Sequence, residues 1–144
     1  MTQRTNTKPE DFLDRLESLG YLVTRVTKRP SICSINGARV NTRSKSRARE
    51  TNSGRSFFYS ITYSVLQEVR WVIYITTDAD HFFMFPSSFL GNLRERMYPD
   101  RKNANVGVFD LDWDNLGIVL RDGEVSIGEY YHDLVDRENY PDFE

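Results

Sequence analysis

The chain has 144 residues, with 19 Lys and Arg against 21 Asp and Glu and one cysteine, a size that fits one domain over residues 1–144. Its 39% hydrophobic and 13% aromatic content suffices for a core and excludes wholesale disorder. The lone Cys33 excludes an intrachain disulfide framework and a cysteine-built zinc or redox site.

The polar start, Met1 to Asn6, reads as a short tail without the apolar centre of a signal peptide. No stretch approaches the roughly 18 apolar residues of a membrane span. A cytoplasmic protein with no membrane association is therefore expected. The small net charge hides a segregation of sign. Residues 1–56 carry 12 basic and 5 acidic side chains, and residues 109–144 carry 2 and 11. A dipolar molecule of this kind can attract polyanions through its basic part. Two solvated faces that neutralise each other account for the same counts.

Thr7, Pro9 and Glu10 form a capping signature, and Phe12, Leu13, Leu16 and Leu19 recur at helical spacing until Gly20, predicting a helix over residues 8–19. Glu10, Asp14 and Glu17 share its solvent-facing stripe. A strand follows from Tyr21 to about Thr27, interrupted by Lys28, Arg29 and Pro30.

Asn36-Gly37 between two strand-like runs predicts a tight hairpin, because both central positions of its turn need positive φ. Counting outward pairs Ile35 with Ala38, Ser34 with Arg39, Cys33 with Val40 and Ile32 with Asn41. Alternation then places Cys33, Ile35, Ala38 and Val40 on an apolar side. Ile32, Ser34, Arg39, Asn41 and Arg43 fall on a side that is polar apart from Ile32, either a site or the wet side of a sheet.

Beyond the hairpin, Arg43, Lys45, Arg47 and Arg49 recur every second residue. An extended strand would project all four cations from one face about 6.6 Å apart, a spacing suited to a phosphate backbone. Glu50 to Gly54 look like an exposed turn, and a solvated loop fits the run equally well.

Phe57, Tyr59, Ile61 and Tyr63 alternate with Phe58, Ser60, Thr62 and Ser64, which predicts a strand with one face strongly buried. Val65, Leu66 and Val69 suit a short helical turn, and Trp71 to Ile75 suit a central strand covered on both sides. His81 to Phe85 form another buried strand ended by Pro86. Ser87 and Ser88 are placed to cap a helix with Phe89, Leu90, Leu93 and Met97 on its apolar face. Strands are expected over Val106–Trp113 and Gly117–Leu120, then a turn at Asp122-Gly123, a helix within Ile127–Val135, and a loose acidic tail over 139–144.

Asp110, Asp112 and Asp114 resemble the first half of a calcium loop. Asn115 and Arg121 occupy the positions where that loop needs glycine and glutamate, so no metal site is assigned. Asp78, Asp80 and His81 read as polar caps at the entry to a strand. Cys33 reads as a small core residue.

The order helix, strand, Asn-Gly hairpin, basic connection, aromatic strand, short helix, central strand and then DHFFMFPSSFL resembles the restriction-endonuclease-like (PD-(D/E)xK) superfamily over roughly Pro9 to Met97. The resemblance implies an α/β fold with a central mixed β-sheet flanked by helices. It also implies metal-dependent phosphodiester cleavage by an aspartate on the first hairpin strand and a (D/E)xK triplet on the next. The corresponding positions here are Ser34 or Ile32 and Asn41-Thr42-Arg43. Asn41 has no charge, Ser34 is a poor magnesium ligand, and Arg43 cannot deprotonate.

The expected function is therefore nucleic-acid binding without catalysis, duplex DNA favoured, through Arg39, Arg43, Lys45, Arg47, Arg49 and Arg55. No cofactor is implied unless the chain is an active magnesium nuclease with a relocated site, to which Glu10, Asp14 or Glu17 would lend a carboxylate. The other alternative is a protein-interaction module or homodimer using the acidic last third or a sheet edge.

Overall fold

A computed structural model of the chain describes residues 9–26, 31–44, 49–51, 54–75 and 79–143, and their side chains except those of 44, 49–51 and 54–58. Helix α1 spans Pro9–Ser18 and buries Phe12, Leu13 and Leu16, with Glu10 and Asp11 in its first turn favouring the positive end of the helix dipole. It closes through paired bonds, Tyr21 N–H to the Leu16 carbonyl and Gly20 N–H to the Glu17 carbonyl. Gly20 sits at φ +100°, a left-handed conformation open to glycine, and this reverses the chain into the first strand.

Strand β1 (Val23–Arg25) pairs antiparallel with β2 (Ile32–Ile35), which turns through Asn36 and Gly37 into β3 (Ala38–Ser44). Both turn residues have positive φ, 50° and 89°, and the pairing is the one counted from the turn: Ile35 with Ala38, Ser34 with Arg39, Cys33 with Val40, Ile32 with Asn41. Strand β3 runs parallel to β6 (Trp71–Ile75). Strand β6 is antiparallel to β7 (His81–Pro86), and β7 to β12 (Tyr131–Asp133). The first sheet has the order β1-β2-β3-β6-β7-β12.

The second sheet is antiparallel. Its order is β11 (Gly123–Ser126), β10 (Gly117–Leu120), β9 (Val106–Asp112), β5 (Gly54–Thr62) and β4 (Arg49–Thr51), with β8 (Tyr98–Pro99) also paired to β9. A 3-10 turn (Tyr63–Gln67) and the short helix α2 (Ser87–Asn92) lie at the strand ends.

The first sheet is covered on both faces, and this explains the unbroken apolar runs in β6 and β7. On one face Cys33, Ile35, Val40, Ile73, Ile75, Phe82 and Met84 cluster with the buried side chains of α1, Leu134 and Phe143. On the other, Ile32, Val72, Tyr74, Phe83 and Phe85 meet Tyr59, Ile61, Phe109, Leu111 and Ile118 of the second sheet. The architecture is mixed α/β, but mostly sheet: a helix packs on one face of the first sheet and a second sheet packs on the other.

That arrangement corrects several expectations. The polar side of the hairpin is wet only near its turn: Ile32 and Asn41 are both 2% exposed because they face the second sheet, whereas Ser34 is half-buried and Arg39 exposed. No helix forms within Ile127–Val135. A 3-10 turn at Gly128–Tyr130 leads into β12, whose pairing satisfies the backbone edge of β7, and tertiary pairing overrides a helical period already weakened by Gly128. The segment from 139 is not loose, since Phe143 is fully buried edge-on to Tyr21. Its backbone is held there as well. Tyr21 Oη donates to the Pro141 carbonyl at 2.8 Å, and Trp71 Nε1 to the Phe143 carbonyl at 3.0 Å. Helix α2 stops at Asn92, so Leu93 and Met97 lie beyond it, and its N-cap position is taken by Pro86, which has no side-chain acceptor, with Ser87 and Ser88 already inside the helix.

Candidate nucleic-acid interface

Register settles which residues share the face of β2 and β3 that looks toward the second sheet. Asn41 pairs with Ile32 and Val72, and Arg43 with Tyr74, so both side chains project to the side of the Tyr74 cluster. Asn41 Nδ2 donates to the Ser31 carbonyl at 3.1 Å, while its Oδ1 is buried without a hydrogen-bond partner among the described residues. Arg43 Nη2 donates to Ser60 Oγ at 2.7 Å, reaching the edge of β5. Ser34 is half-buried opposite Arg39.

These positions do not fit a divalent metal. They offer one neutral amide oxygen, a hydroxyl and a permanent cation, and none of the residues that β2 and β3 place on this face is a carboxylate. The acids of α1 cannot supply one. Helix α1 packs on the opposite face of the sheet, and Arg25 gathers Glu10, Asp14 and Glu17 by bonds of 3.0 to 3.2 Å. Among the described residues, no three His, Cys, Asp or Glu side chains converge as a metal site.

The expected row of cations is distributed between two sheets. Arg39 and Arg43 lie on β3 in the first; Arg49 and Arg55 lie on β4 and β5 in the second, with Arg49 opposite Ser56 and Ser56 opposite Asp112. Lys45 and Arg47 lie outside the described residues. The basic hairpin of β4 and β5 is thus laddered beside the acidic strand β9, a proximity that counting charges by thirds of the sequence does not show.

Arg39 is exposed, and a neighbour not anticipated from the sequence joins it. The N–H of Arg70 donates to the Arg39 carbonyl at 2.8 Å, and the N–H of Ser87 to the Arg70 carbonyl at 2.9 Å. The starts of β3 and β6 and the end of β7 therefore lie side by side, at the roughly 4.8 Å spacing of adjacent strands. Arg70 is exposed with its guanidinium 5.6 Å from the Trp71 ring centroid. Neither Arg39 nor Arg70 has a carboxylate partner among the described residues, whereas Arg15, Arg25 and Arg96 are ion-paired. The signal for Arg70 was its place just before the central strand, legible only once β6 is known to lie beside β3.

The remaining candidates have structural roles. Asp112 accepts from the Asn115 N–H at 3.1 Å and from Asn115 Nδ2 at 2.8 Å, capping a turn rather than opening a calcium loop. His81 Nδ1 lies 2.6 Å from Tyr131 Oη and stacks on that ring. Asp133, opposite His81, is opposed by burial, but N–H donors of Asp136 and Val135, the Asn139 amide and His81 outweigh this and hold it below the usual carboxylate range. Burial raises the Cys33 thiol to about 11, far from a reactive thiolate at neutral pH. The free edge strand β11 carries exposed Glu124, a charge that discourages strand addition.

No helix among the described residues is long and apolar enough to cross a membrane. No family model, curated protein or solved structure matches the chain.

Proposed function

We propose that the chain binds nucleic acid, duplex DNA in preference, without cleaving it. The observation that carries this reading is the pair Arg39 and Arg70: two exposed guanidinium groups on adjacent strand ends, neither neutralised by a carboxylate among the described residues. Arginine is the side chain best matched to phosphate oxygens. Arg43, Lys45, Arg47, Arg49 and Arg55 add positive charge to the same stretch of sequence.

A nuclease-like core is part of the proposal. It is supported by α1, β1, the Asn-Gly hairpin and the parallel strand β6 following one another in a single sheet with α1 on one face. Loss of catalysis is supported by Ser34, Asn41 and Arg43, which bring no carboxylate to anchor a metal and no base to activate water.

An anisotropy titration against duplex DNA, single-stranded DNA and RNA over a range of salt tests the reading. Neutralising about four phosphates gives a slope of log K against log[salt] near −3.6 on duplex. Charge reversal at Arg39 and Arg70 is expected to weaken binding and flatten that slope. Salt-independent affinity, or none at low salt, removes the proposal. Magnesium-dependent nicking of plasmid by the purified chain would replace it with the nuclease reading.

A further inference from the structure

A cavity of about 360 Å³ opens between the 3-10 turn at Tyr63–Gln67 and α2, within the volume of small-ligand sites. Tyr63 and Leu66 give it an apolar wall, Gln67, Ser87 and Ser88 bring an amide and two hydroxyls, and Arg94 closes one side. Among the described residues Arg94 is its only charged lining group, and each polar side chain that lines it there can donate a hydrogen bond.

Arg94 is positioned without an ion pair among the described residues. Its guanidinium carbon lies 4.1 Å from the Tyr63 ring centroid, and Tyr63 Oη donates back to the Arg94 carbonyl at 3.4 Å. Contact with an aromatic face orients the guanidinium but satisfies none of its five N–H donors. No protein acceptor takes them among the described residues, although Arg94 is flanked by Glu95 and Arg96, and Arg96 pairs with Asp122. Arg94 is exposed, and its guanidinium, held on an aromatic face and without a carboxylate partner among the described residues, lines one cavity with two hydroxyls and an amide, a set of donors suited to an anion.

We infer that this cavity is a seat for a phosphomonoester, with Arg94 as the charged contact and Ser87, Ser88 and Gln67 as neutral donors. A phosphomonoester has close to two negative charges and three acceptor oxygens at neutral pH, which matches one guanidinium fork plus several separate donors. Two sources share that chemistry: a free mononucleotide and the 5′-phosphate at the end of a nucleic-acid strand. The site is separate from Arg39 and Arg70, and the inference does not rest on the nucleic-acid reading. The backbone bond from Ser87 to Arg70 puts the two next to each other, so a strand end could occupy both.

The experiment measures binding of inorganic phosphate, a 5′-mononucleotide, and one oligonucleotide carrying either a 5′-phosphate or a 5′-hydroxyl. The proteins compared are the full chain, Arg94→Gln, Gly91→Leu and Arg39→Glu/Arg70→Glu. Gly91 lines the cavity, and nothing stands within 4 Å of a Cβ built there, so leucine fills the space without removing a donor. Circular dichroism verifies that each variant is folded.

The expected result is binding of the mononucleotide or of the phosphorylated oligonucleotide, about tenfold or more weaker in Arg94→Gln and Gly91→Leu and retained in Arg39→Glu/Arg70→Glu for the mononucleotide. Preference for the phosphorylated oligonucleotide over the mononucleotide identifies a strand end as the source, and the reverse identifies a free nucleotide. Equal affinity of Arg94→Gln and the unaltered chain for every phosphate probe, or no binding of any, overturns the inference. If both oligonucleotides bind equally and only the Arg39→Glu/Arg70→Glu change removes binding, the cavity is excluded while the nucleic-acid reading stands. If only the mononucleotide binds, through Arg94, the nucleic-acid reading falls and the cavity remains.

Discussion

Tyr59 and Tyr74 fasten the two sheets to each other reciprocally. Their ring centroids are 4.5 Å apart, Tyr59 Oη of β5 donates to the Ile75 carbonyl of β6 at 2.7 Å, and Tyr74 Oη of β6 donates to the Ser60 carbonyl of β5 at 3.3 Å. Each hydroxyl therefore crosses the interface in the opposite direction. Burial raises both phenols well above their ordinary value of 10.0, against a lowering influence of Arg43 on Tyr74.

A phenol whose pKa is raised by folding stabilises the folded state fully below the ordinary value, and that stability is lost as pH climbs above it, because the unfolded chain releases its protons first. Unfolding is expected to set in above pH 10, with phenolate absorbance from Tyr59 and Tyr74 appearing only with loss of structure. Tyr59→Phe is expected to cost about 1–3 kcal/mol in denaturant titration, from the buried Ile75 carbonyl left short of a donor. Phenolate absorbance from these two tyrosines in a folded chain would show that the clasp is not closed in solution.

Thr42 presents the opposite case. The residue is 2% exposed, and its Oγ1 has no hydrogen-bond partner among the described residues, so the hydroxyl bears a desolvation cost with no return. Thr42→Val keeps the shape and removes the orphaned group. An increase in stability of about 1 kcal/mol is expected in thermal melts, although the reverse holds for most threonines in a core. A lower Tm would mean that Oγ1 has found a partner such as ordered water.

Gly107 of β9 is constrained by its neighbours rather than by its backbone. A Cβ there would stand 2.8 Å from Tyr63 Cζ and 2.9 Å from Met97 Sδ, inside contact distance of both. Gly107→Ala is expected to destabilise the chain by about 1–3 kcal/mol. By displacing the Tyr63 ring it should also loosen Arg94. Ring-current shifts in the Arg94 side-chain resonances measure this second effect, which a general loss of stability would not produce in the folded state.

Phe143 anchors the segment that the sequence presents as a charged tail. Phe143→Ala removes a fully buried ring packed on Tyr21 and is expected to cost about 3–5 kcal/mol. Freeing Trp71 Nε1 from the Phe143 carbonyl should shift the tryptophan emission of the folded variant. An unchanged melt would place this aromatic outside the core.

Local chemistry made parts of this fold legible and global pairing hid the rest. Asn36-Gly37 fixes a two-residue turn, so the register of β2 and β3 follows by counting. The period of Phe12, Leu13 and Leu16 likewise defines α1, while Thr7, the capping residue read from the sequence, lies outside the described residues. Ile32 and Asn41 were harder, because alternation assigns them a common face but does not say what covers it, and the cover comes from β5 and β9 far along the chain. Tyr131 to Asp133 could suit a helix or a strand, and only the open edge of β7 decides. At the candidate site, Arg39 was readable from the hairpin, but Arg70 and Arg94 were not. Their importance depends on the parallel pairing of β3 with β6 and on the Tyr63 ring, neither of which has a signature in local spacing.

The late arrival of β12 has a consequence for how the chain is made. The first sheet's other strands are all complete by Pro86, but the strand that covers the edge of β7 starts at Tyr131, 45 positions later. At roughly 5–20 residues per second, a ribosome takes about 2–9 s to deliver it. For that interval a nascent chain offers the bare flank of a phenylalanine-rich strand, and a neighbour on the same messenger offers an identical one. Pairing between neighbouring nascent chains is then a route to aggregation that opens before the molecule is finished, and slower initiation is expected to raise the yield.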